Sequence, residues 1–370
     1  MSKKDPPHHL AVYMHNLEWG GAERSMLKLT GGISTRGYKV DLVLVNKKGS
    51  LESEVPDHIR VIDFKASRAL ASLHSLITYL QNEKPDTLYT GLHTNLIAIW
   101  AKRLAGVSTK VVVSVRGNLS EYVAMCSGVF RVRMLPLLIR RYYRWADCVV
   151  TVSNGVAEDL ITNHGVPHNK VRVIYNPVVT PEFRNMSLKH LDHPWFNAGE
   201  SPVILAAGHL TAQKDFSTLI HAFSKIIKKH KVRLMILGEG EDRSMLEALI
   251  RKLELKEYIQ MPGYIANPYP YMKRCSLFVL SSRWEGLPGV LIEALYCGAP
   301  IISTDCPSGP REILADGKYG KLVPIGDPLA MAQAMNLVLN GEVIHPTTES
   351  WLPFEYHNVI DQYIRLFTNQ

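Results

Sequence analysis

A two-domain α/β protein built on parallel sheets is the fold class this sequence predicts, and three observations predict it. The chain has 370 residues, more than a single hydrophobic core ordinarily serves. Short apolar runs alternate with helix-like stretches along most of it, the order of strand and crossover helix in a parallel sheet. The alternation lapses over residues 178–201, where Pro181, Pro194 and Gly199 stand without a sustained period, and restarts at Pro202. The expected divisions are an N-terminal domain over 1–177, a linker over 178–201 and a C-terminal domain over 202–350, with a last helical stretch at about 351–370.

Composition narrows the class. Hydrophobic residues at 46% and charged residues at 21% are the mixture of an ordinary soluble globular protein. No run of about eighteen apolar residues occurs, and residues 1–7 lead straight into a strand-like run, so neither a spanning helix nor a signal peptide is expected and the expected location is cytoplasmic. Five cysteines, at 126, 148, 275, 297 and 306, lack C-x-x-C spacing and read as reduced core thiols, not a metal site. Residues 1–185 hold 24 Lys and Arg against 15 Asp and Glu, while 186–370 hold 18 against 19. The surplus of positive charge therefore lies in the first half, which argues for an anionic partner there: phosphate, nucleic acid or an acidic membrane surface.

In the first half, residues 10–15 read as a strand that feeds a glycine-bearing loop, with Gly20 and Gly21 opening a helix that carries Arg24. Such a loop lets backbone approach a ligand at the strand's carboxyl edge, although two adjacent glycines by themselves mark only a tight turn. Further strands are expected at 40–45, 87–89 and 110–115. His93 stands where a helix would start, and Arg116 stands just after the strand at 110–115, placing a permanent cation suited to a phosphate at a carboxyl edge. Residues 130–145 mix five arginines with aliphatic and aromatic side chains. That pattern reads equally as an interfacial element on an anionic membrane surface or as a buried helix whose arginines reach outward. No RNA- or DNA-binding motif surrounds it, so nucleic acid is not an expected partner. A strand at 147–153, a helix at 154–164 and a strand at 171–178 end the half.

The second half repeats the pattern. A strand from 203 runs into residues 208–216, containing Gly208, His209 and Lys214, followed by a helix with Leu219, Ile220, Phe223 and Ile227 on one face. Strands at 233–237 and 259–263 each meet glycines, the latter followed by Tyr264 and Ile265. A strand at 276–280 then enters the turn Gly286-Leu287-Pro288-Gly289, with Glu285 before the turn and Glu293 a turn inside the following helix. Free backbone N–H groups at such a helix start attract anions, and carboxylates accept hydrogen bonds from hydroxyls, so the stretch suits a phosphorylated, sugar-bearing ligand.

Glu285 and Glu293, with seven residues between them, together with the flanking Glu-Gly-Leu-Pro-Gly-Val-Leu-Ile-Glu-Ala-Leu, resemble the E-x7-E signature of the retaining, nucleotide-sugar-dependent glycosyltransferases of family 4. Gly20 to Arg24 and the loop from Gly208 to Lys214 resemble two further loops of that family. The resemblance implies a GT-B fold, in which two Rossmann-like domains face each other across a cleft and the C-terminal helix crosses back to the N-terminal domain. It implies donor binding by Gly21, Gly208, His209, Lys214, Tyr264, Ile265, Glu285, Gly286, Leu287, Gly289 and Glu293, and acceptor binding by Gly20, Arg24, His93 and Arg116. Catalytic roles fall to Glu285 and Arg116.

Two positions depart from the family pattern. Arg116 occupies the neighbourhood where many members carry a histidine, and His209 replaces the arginine that would join Lys214 on the donor diphosphate. The chain has no D-x-D motif, so the expectation is no cofactor and no metal. The implied partners are a nucleotide sugar, with UDP-sugar expected, and a glycan or polyprenyl-diphosphate-linked acceptor of cell-surface polysaccharide synthesis. If residues 130–145 are interfacial, the enzyme is peripheral on the inner face of the plasma membrane. A binding protein without catalysis, or a transferase using a small soluble acceptor, is the alternative. A NAD-dependent oxidoreductase is disfavoured because no G-x-G-x-x-G follows the first strand.

Overall fold

The computed structural model describes residues 8–18, 20–126 and 128–368. The chain divides into two compact units, residues 1–177 with 357–370, and residues 178–356.

The first unit is a seven-stranded parallel sheet. Its strands are β1 (His9–Met14), β2 (Lys39–Leu44), β3 (Arg60–Asp63), β4 (Thr87–Gly91), β5 (Lys110–Val115), β6 (Cys148–Thr151) and β7 (Val171–Val173), in the order β3-β2-β1-β4-β5-β6-β7. Every residue of β1 is buried, as a strand covered by helices on both faces requires. The order reverses between β1 and β4, the kind of point at whose carboxyl edge open parallel sheets bind ligands. Near the amino ends, Asp41 is 1% exposed and accepts from His9 Nε2 at 2.9 Å, Arg60 Nε at 2.9 Å and Tyr79 Oη at 2.7 Å. Burial works against its charge, but these three donors outweigh it and hold the carboxyl well below the usual range.

The helix Tyr356–Thr368 completes this unit. Val359, Ile360, Tyr363 and Phe367 recur at helical spacing and are buried, each burial being worth about 1.5–3 kcal/mol. The rings of Tyr363 and Phe367 lie 5.6 and 5.5 Å from that of Tyr89, and Arg36 Nη1 bonds Asp361 at 2.8 Å.

Two first-unit elements differ from the sequence reading in detail. The helix expected over 154–164 is α-helical only for Asn154–Glu158 and widens into a π turn over Asp159–Asn163. The cause lies next door: the Asp159 carboxylate accepts from the N–H groups of Leu119 and Ser120, at 2.9 and 3.2 Å, at the start of the helix Leu119–Met125. The 130–145 segment forms the helix Phe130–Tyr142, of which only Val132 and Ile139 are buried, so it is not a core helix.

The second unit is a six-stranded parallel sheet of β8 (Val203–Ala207), β9 (Arg233–Leu237), β10 (Ile259–Gly263), β11 (Leu277–Leu280), β12 (Ile301–Thr304) and β13 (Lys321–Val323), ordered β10-β9-β8-β11-β12-β13. Its reversal falls between β8 and β11. The stretch 178–201, read as a linker, packs as part of this unit. Phe183, 2% exposed, lies 4.3 Å from the ring of Tyr269 and 5.7 Å from that of Tyr296, and Val178 and Val179 both donate to the Phe354 carbonyl at 3.1 Å. A few buried aromatics anchor a segment that has no hydrophobic period for a sequence to display.

All five cysteines are free thiols, and burial pushes Cys297 and Cys306 up to about 12. Among the described residues no helix is long and apolar enough to cross a membrane.

Candidate functional site

In the second unit the two loops that flank the sheet reversal are tied to each other. Residues 208–215 follow β8 and residues 281–288 follow β11. Arg283 N–H donates to the Gln213 carbonyl at 2.8 Å, Gln213 Nε2 to the Trp284 carbonyl at 2.9 Å, and Ser281 Oγ to the Lys214 carbonyl at 2.7 Å. Asp215, at a left-handed φ of 44°, caps the helix Phe216–Ile226 through the Thr218 N–H and pairs with Arg283 Nε at 3.0 Å.

These ties bring Lys214 Nζ to 2.5 Å from Glu285 Oε1, which Ser282 Oγ also approaches at 2.6 Å. Glu285 is 6% exposed, so the pair is nearly dry and its charge-assisted contact is strong, while loss of either partner would strand the other in a poorly solvated site. Both contacts fall on Oε1. Oε2 of Glu285 takes part in neither.

Backbone approach sets the shape of the loops. Gly238 has φ 146°, and a Cβ there would lie 1.9 Å from the Gly208 carbonyl oxygen. Gly309 has φ 102°, and a Cβ there would lie 2.6 Å from Pro288 Cδ. Only glycine permits either approach, and a larger residue would push the Gly208 loop or the 286–289 turn out of place. The helix Gly289–Tyr296 starts just beyond that turn, with Pro288 as its capping residue and not its first helical residue. Glu293 is half-buried in the second turn of this helix. His209 is exposed, Gly286 and Leu287 are buried, and Tyr264 and Ile265 follow the carboxyl end of β10.

The first unit carries a different arrangement. Arg116 directly follows β5, and its Nη2 donates to Ser25 Oγ at 2.6 Å and Asn176 Oδ1 at 2.7 Å, while Nη1 donates to Tyr89 Oη at 3.2 Å and Ser114 Oγ at 3.3 Å. Its Nε is buried without a partner, and among the described residues no carboxylate pairs with it. The Tyr89 hydroxyl also meets that of Tyr363 at 3.4 Å, and burial raises the Tyr363 phenol well above its ordinary value, keeping it a neutral hydroxyl. A guanidinium held only by neutral oxygens keeps its full positive field, which suits an incoming anion.

The remaining first-unit candidates are more dispersed. Gly20 caps the helix Gly21–Ser34, Arg24 on that helix pairs with Glu54 at 3.1 Å, and His93 is exposed in a short 3-10 turn after β4. Sequence reading did not single out Ser25, Tyr89, Asn176 or Ser282 as site residues. Ser282 could have been suspected as a small polar residue at a strand's carboxyl end; the others become partners of Arg116 only through tertiary contact.

Two family profiles match the chain, Glycosyltransferase Family 4 over residues 19–181 and Glycosyl transferases group 1 over residues 191–352. The chain is 31% identical over 344 residues, 90% of either sequence, to N-acetylgalactosamine-N,N'-diacetylbacillosaminyl-diphospho-undecaprenol 4-alpha-N-acetylgalactosaminyltransferase of Campylobacter jejuni. It is 28% identical over 334 residues, 89% of this chain and 88% of the other, to the lipopolysaccharide core biosynthesis glycosyltransferase LpsE of Rhizobium meliloti. Its fold matches that of Anabaena Alr3699/HepE in complex with UDP and glucose with a TM-score of 0.79 at 18% identity, covering 98% of this chain and 100% of that one. Similarity at this level over nine-tenths of a relative's length, with one family profile lying on each unit, establishes that the chain belongs to the group 1 glycosyltransferases of the GT-B fold and is a glycosyltransferase.

Proposed function

We propose that this glycosyltransferase moves a hexosyl or N-acetylhexosaminyl unit from a UDP-sugar, with retention of anomeric configuration, to a lipid-linked or polysaccharide acceptor in cell-surface glycan synthesis. The observation that carries the reading is the Lys214–Glu285 pair, fixed at the reversal of the second sheet beside the turn at Gly286–Gly289. Open α/β sheets bind ligands at such reversals. The acceptor class is supported by the C. jejuni relative, whose name specifies a diphospho-undecaprenol-linked sugar, and by the R. meliloti relative, named for lipopolysaccharide core biosynthesis.

In this reading Glu293 accepts the ribose hydroxyls, and Lys214, His209, Gly208 and the N–H groups around Gly286, Leu287 and Gly289 hold the diphosphate. Tyr264 and Ile265 border the base. As the glycosidic C–O bond to the diphosphate breaks, negative charge grows on the leaving oxygen, and Lys214 together with the turn stabilises it without a metal. Glu285 keeps Oε1 on Lys214 and Ser282 and uses Oε2 to orient a hydroxyl of the transferred sugar. The acceptor hydroxyl forms the new bond and its proton passes to the departing phosphate. Arg116, with Gly20, Arg24 and His93 near the first sheet's carboxyl edge, receives the acceptor and its phosphate.

Isothermal titration of the protein with UDP and with NAD, followed by a hydrolysis screen of nucleotide sugars with and without EDTA, tests the reading. Heat on UDP, none on NAD and EDTA-resistant hydrolysis of a UDP-sugar are expected. Heat on NAD, or no heat on UDP, would overturn the UDP-sugar reading, and activity abolished by EDTA and restored by manganese would overturn the metal-free step.

A further inference from the structure

We infer that the helix Phe130–Tyr142 and the residues leading into it form a membrane-docking surface that takes an anionic phospholipid bilayer. Charge comes first. Between residues 87 and 146 the sequence has nine lysines and arginines and a single acid, Glu121. Arg131, Arg133, Arg140, Arg141 and Arg144 lie within fourteen of those residues, and among the described residues none has a carboxylate partner. Arg141 instead stacks over Tyr142 and Trp145, at 5.6 and 5.0 Å from the ring centroids, which fixes its position without neutralising it.

The apolar pattern comes second. Val132, Ile139 and Tyr143, spaced seven and four apart, face the protein core. The opposite face presents Phe130 and Leu137, at 74% and 60% exposure, between those arginines, and Met125 and Val129 just upstream are 54% and 52% exposed. A large ring left in water this completely lowers solubility and does nothing for the fold. Interleaved apolar and cationic side chains along about 20 Å of helix match a lipid interface, where the apolar groups enter the acyl boundary and the guanidiniums meet headgroup phosphates. A nucleic-acid surface uses the arginines but gives Phe130, Leu137, Val129 and Met125 no role.

The surface stands on its own residues, none of them assigned to donor or acceptor, so its test is separable from the transfer reading. The full chain is sedimented with vesicles of phosphatidylcholine alone and of phosphatidylcholine with phosphatidylglycerol. Binding is expected only to the second, falling with salt, and roughly tenfold or more weaker for the Arg140→Glu, Arg141→Glu, Arg144→Glu triple variant. Phe130→Ser with Leu137→Ser should weaken it severalfold while leaving the melting temperature and the vesicle-free hydrolysis of donor at wild-type values. A Phe130→Trp variant reports directly: its emission shifts to the blue on adding anionic vesicles. Absence of sedimentation with anionic vesicles, sedimentation without a blue shift, or equal binding to duplex DNA with no effect of the serine pair would each overturn the inference, and wild-type hydrolysis in those same samples would show that the transfer chemistry is unaffected.

Discussion

The carboxyl edges of the two sheets hold cations in opposite ways. In the second unit Lys214 lies 2.5 Å from the carboxylate of Glu285, so the pair is balanced before any ligand arrives. In the first unit Arg116 is held by Ser25, Tyr89, Ser114 and Asn176, none of which carries charge, and the site stays positive. Keeping a partly buried cation unneutralised is unfavourable unless something else is gained, whereas a balanced pair is tolerated in a dry site. In the proposed reaction the two do different work: the balanced pair supplies geometry for a reacting group, and the unbalanced guanidinium supplies attraction for an anion. Asp41, at the amino end of the first sheet, is the reference case, a carboxylate held by the internal donors His9, Arg60 and Tyr79.

The sharpest way to break the contrast is Glu285→Ala. It should lower kcat for sugar transfer by about 10²–10³ while leaving UDP affinity within a few-fold. An equally large loss of UDP affinity in titration would make the pair a binding device and erase the distinction. Asp41→Ala comes next, with no effect on kinetics expected per folded molecule but a loss of about 3 kcal/mol in stability, read as a fall in melting temperature of about 6–12 °C. Because the folded Asp41 carboxyl is held below its unfolded value, its stabilisation is complete above about pH 4 and is lost as the pH falls further. The wild type should therefore lose stability on acidification below that point more steeply than the variant.

Arg116→Lys keeps the charge but loses the planar fork. It should lower kcat/KM for a phosphate-bearing acceptor by roughly 10- to 100-fold and spare hydrolysis of the donor alone. Equal loss in both reactions would place Arg116 in general scaffolding. The smallest effect is expected from Glu293→Ala, about tenfold weaker UDP binding by titration with kcat little changed, the loss of one charge-assisted hydrogen bond to ribose.

Much of this architecture was visible in the chain before folding. Strands buried on both faces must be apolar throughout, so the runs at 10–15, 110–115, 203–207 and 277–280 announced themselves, and residues just after them fell at carboxyl edges by the nature of a parallel sheet. That is how Arg116 was found, and Lys214 and Glu285 were singled out once the resemblance of their loops to family motifs was added. Their partners were not. Lys214 and Glu285 are 71 residues apart, Arg116 and Ser25 are 91 apart, and nothing in either neighbourhood declares the contact. The packing of 178–201 into the second unit was hidden for a related reason, since Phe183 finds Tyr269 and Tyr296 across more than eighty positions and no local period records such a pairing.

By itself the sequence determined two α/β units, the carboxyl-edge position of the candidate residues, the concentration of positive charge in the first half and the signature that places the chain among glycosyltransferases. The first three follow from local periodicity and composition, which depend on neighbours along the chain, and the last from the resemblance of the Glu285–Glu293 stretch to a family motif. Tertiary structure alone decided that Glu285 is neutralised and Arg116 is not, and that the arginine-rich helix is exposed instead of buried. Charge balance and burial depend on which groups meet through space, and the folded sheets choose those meetings.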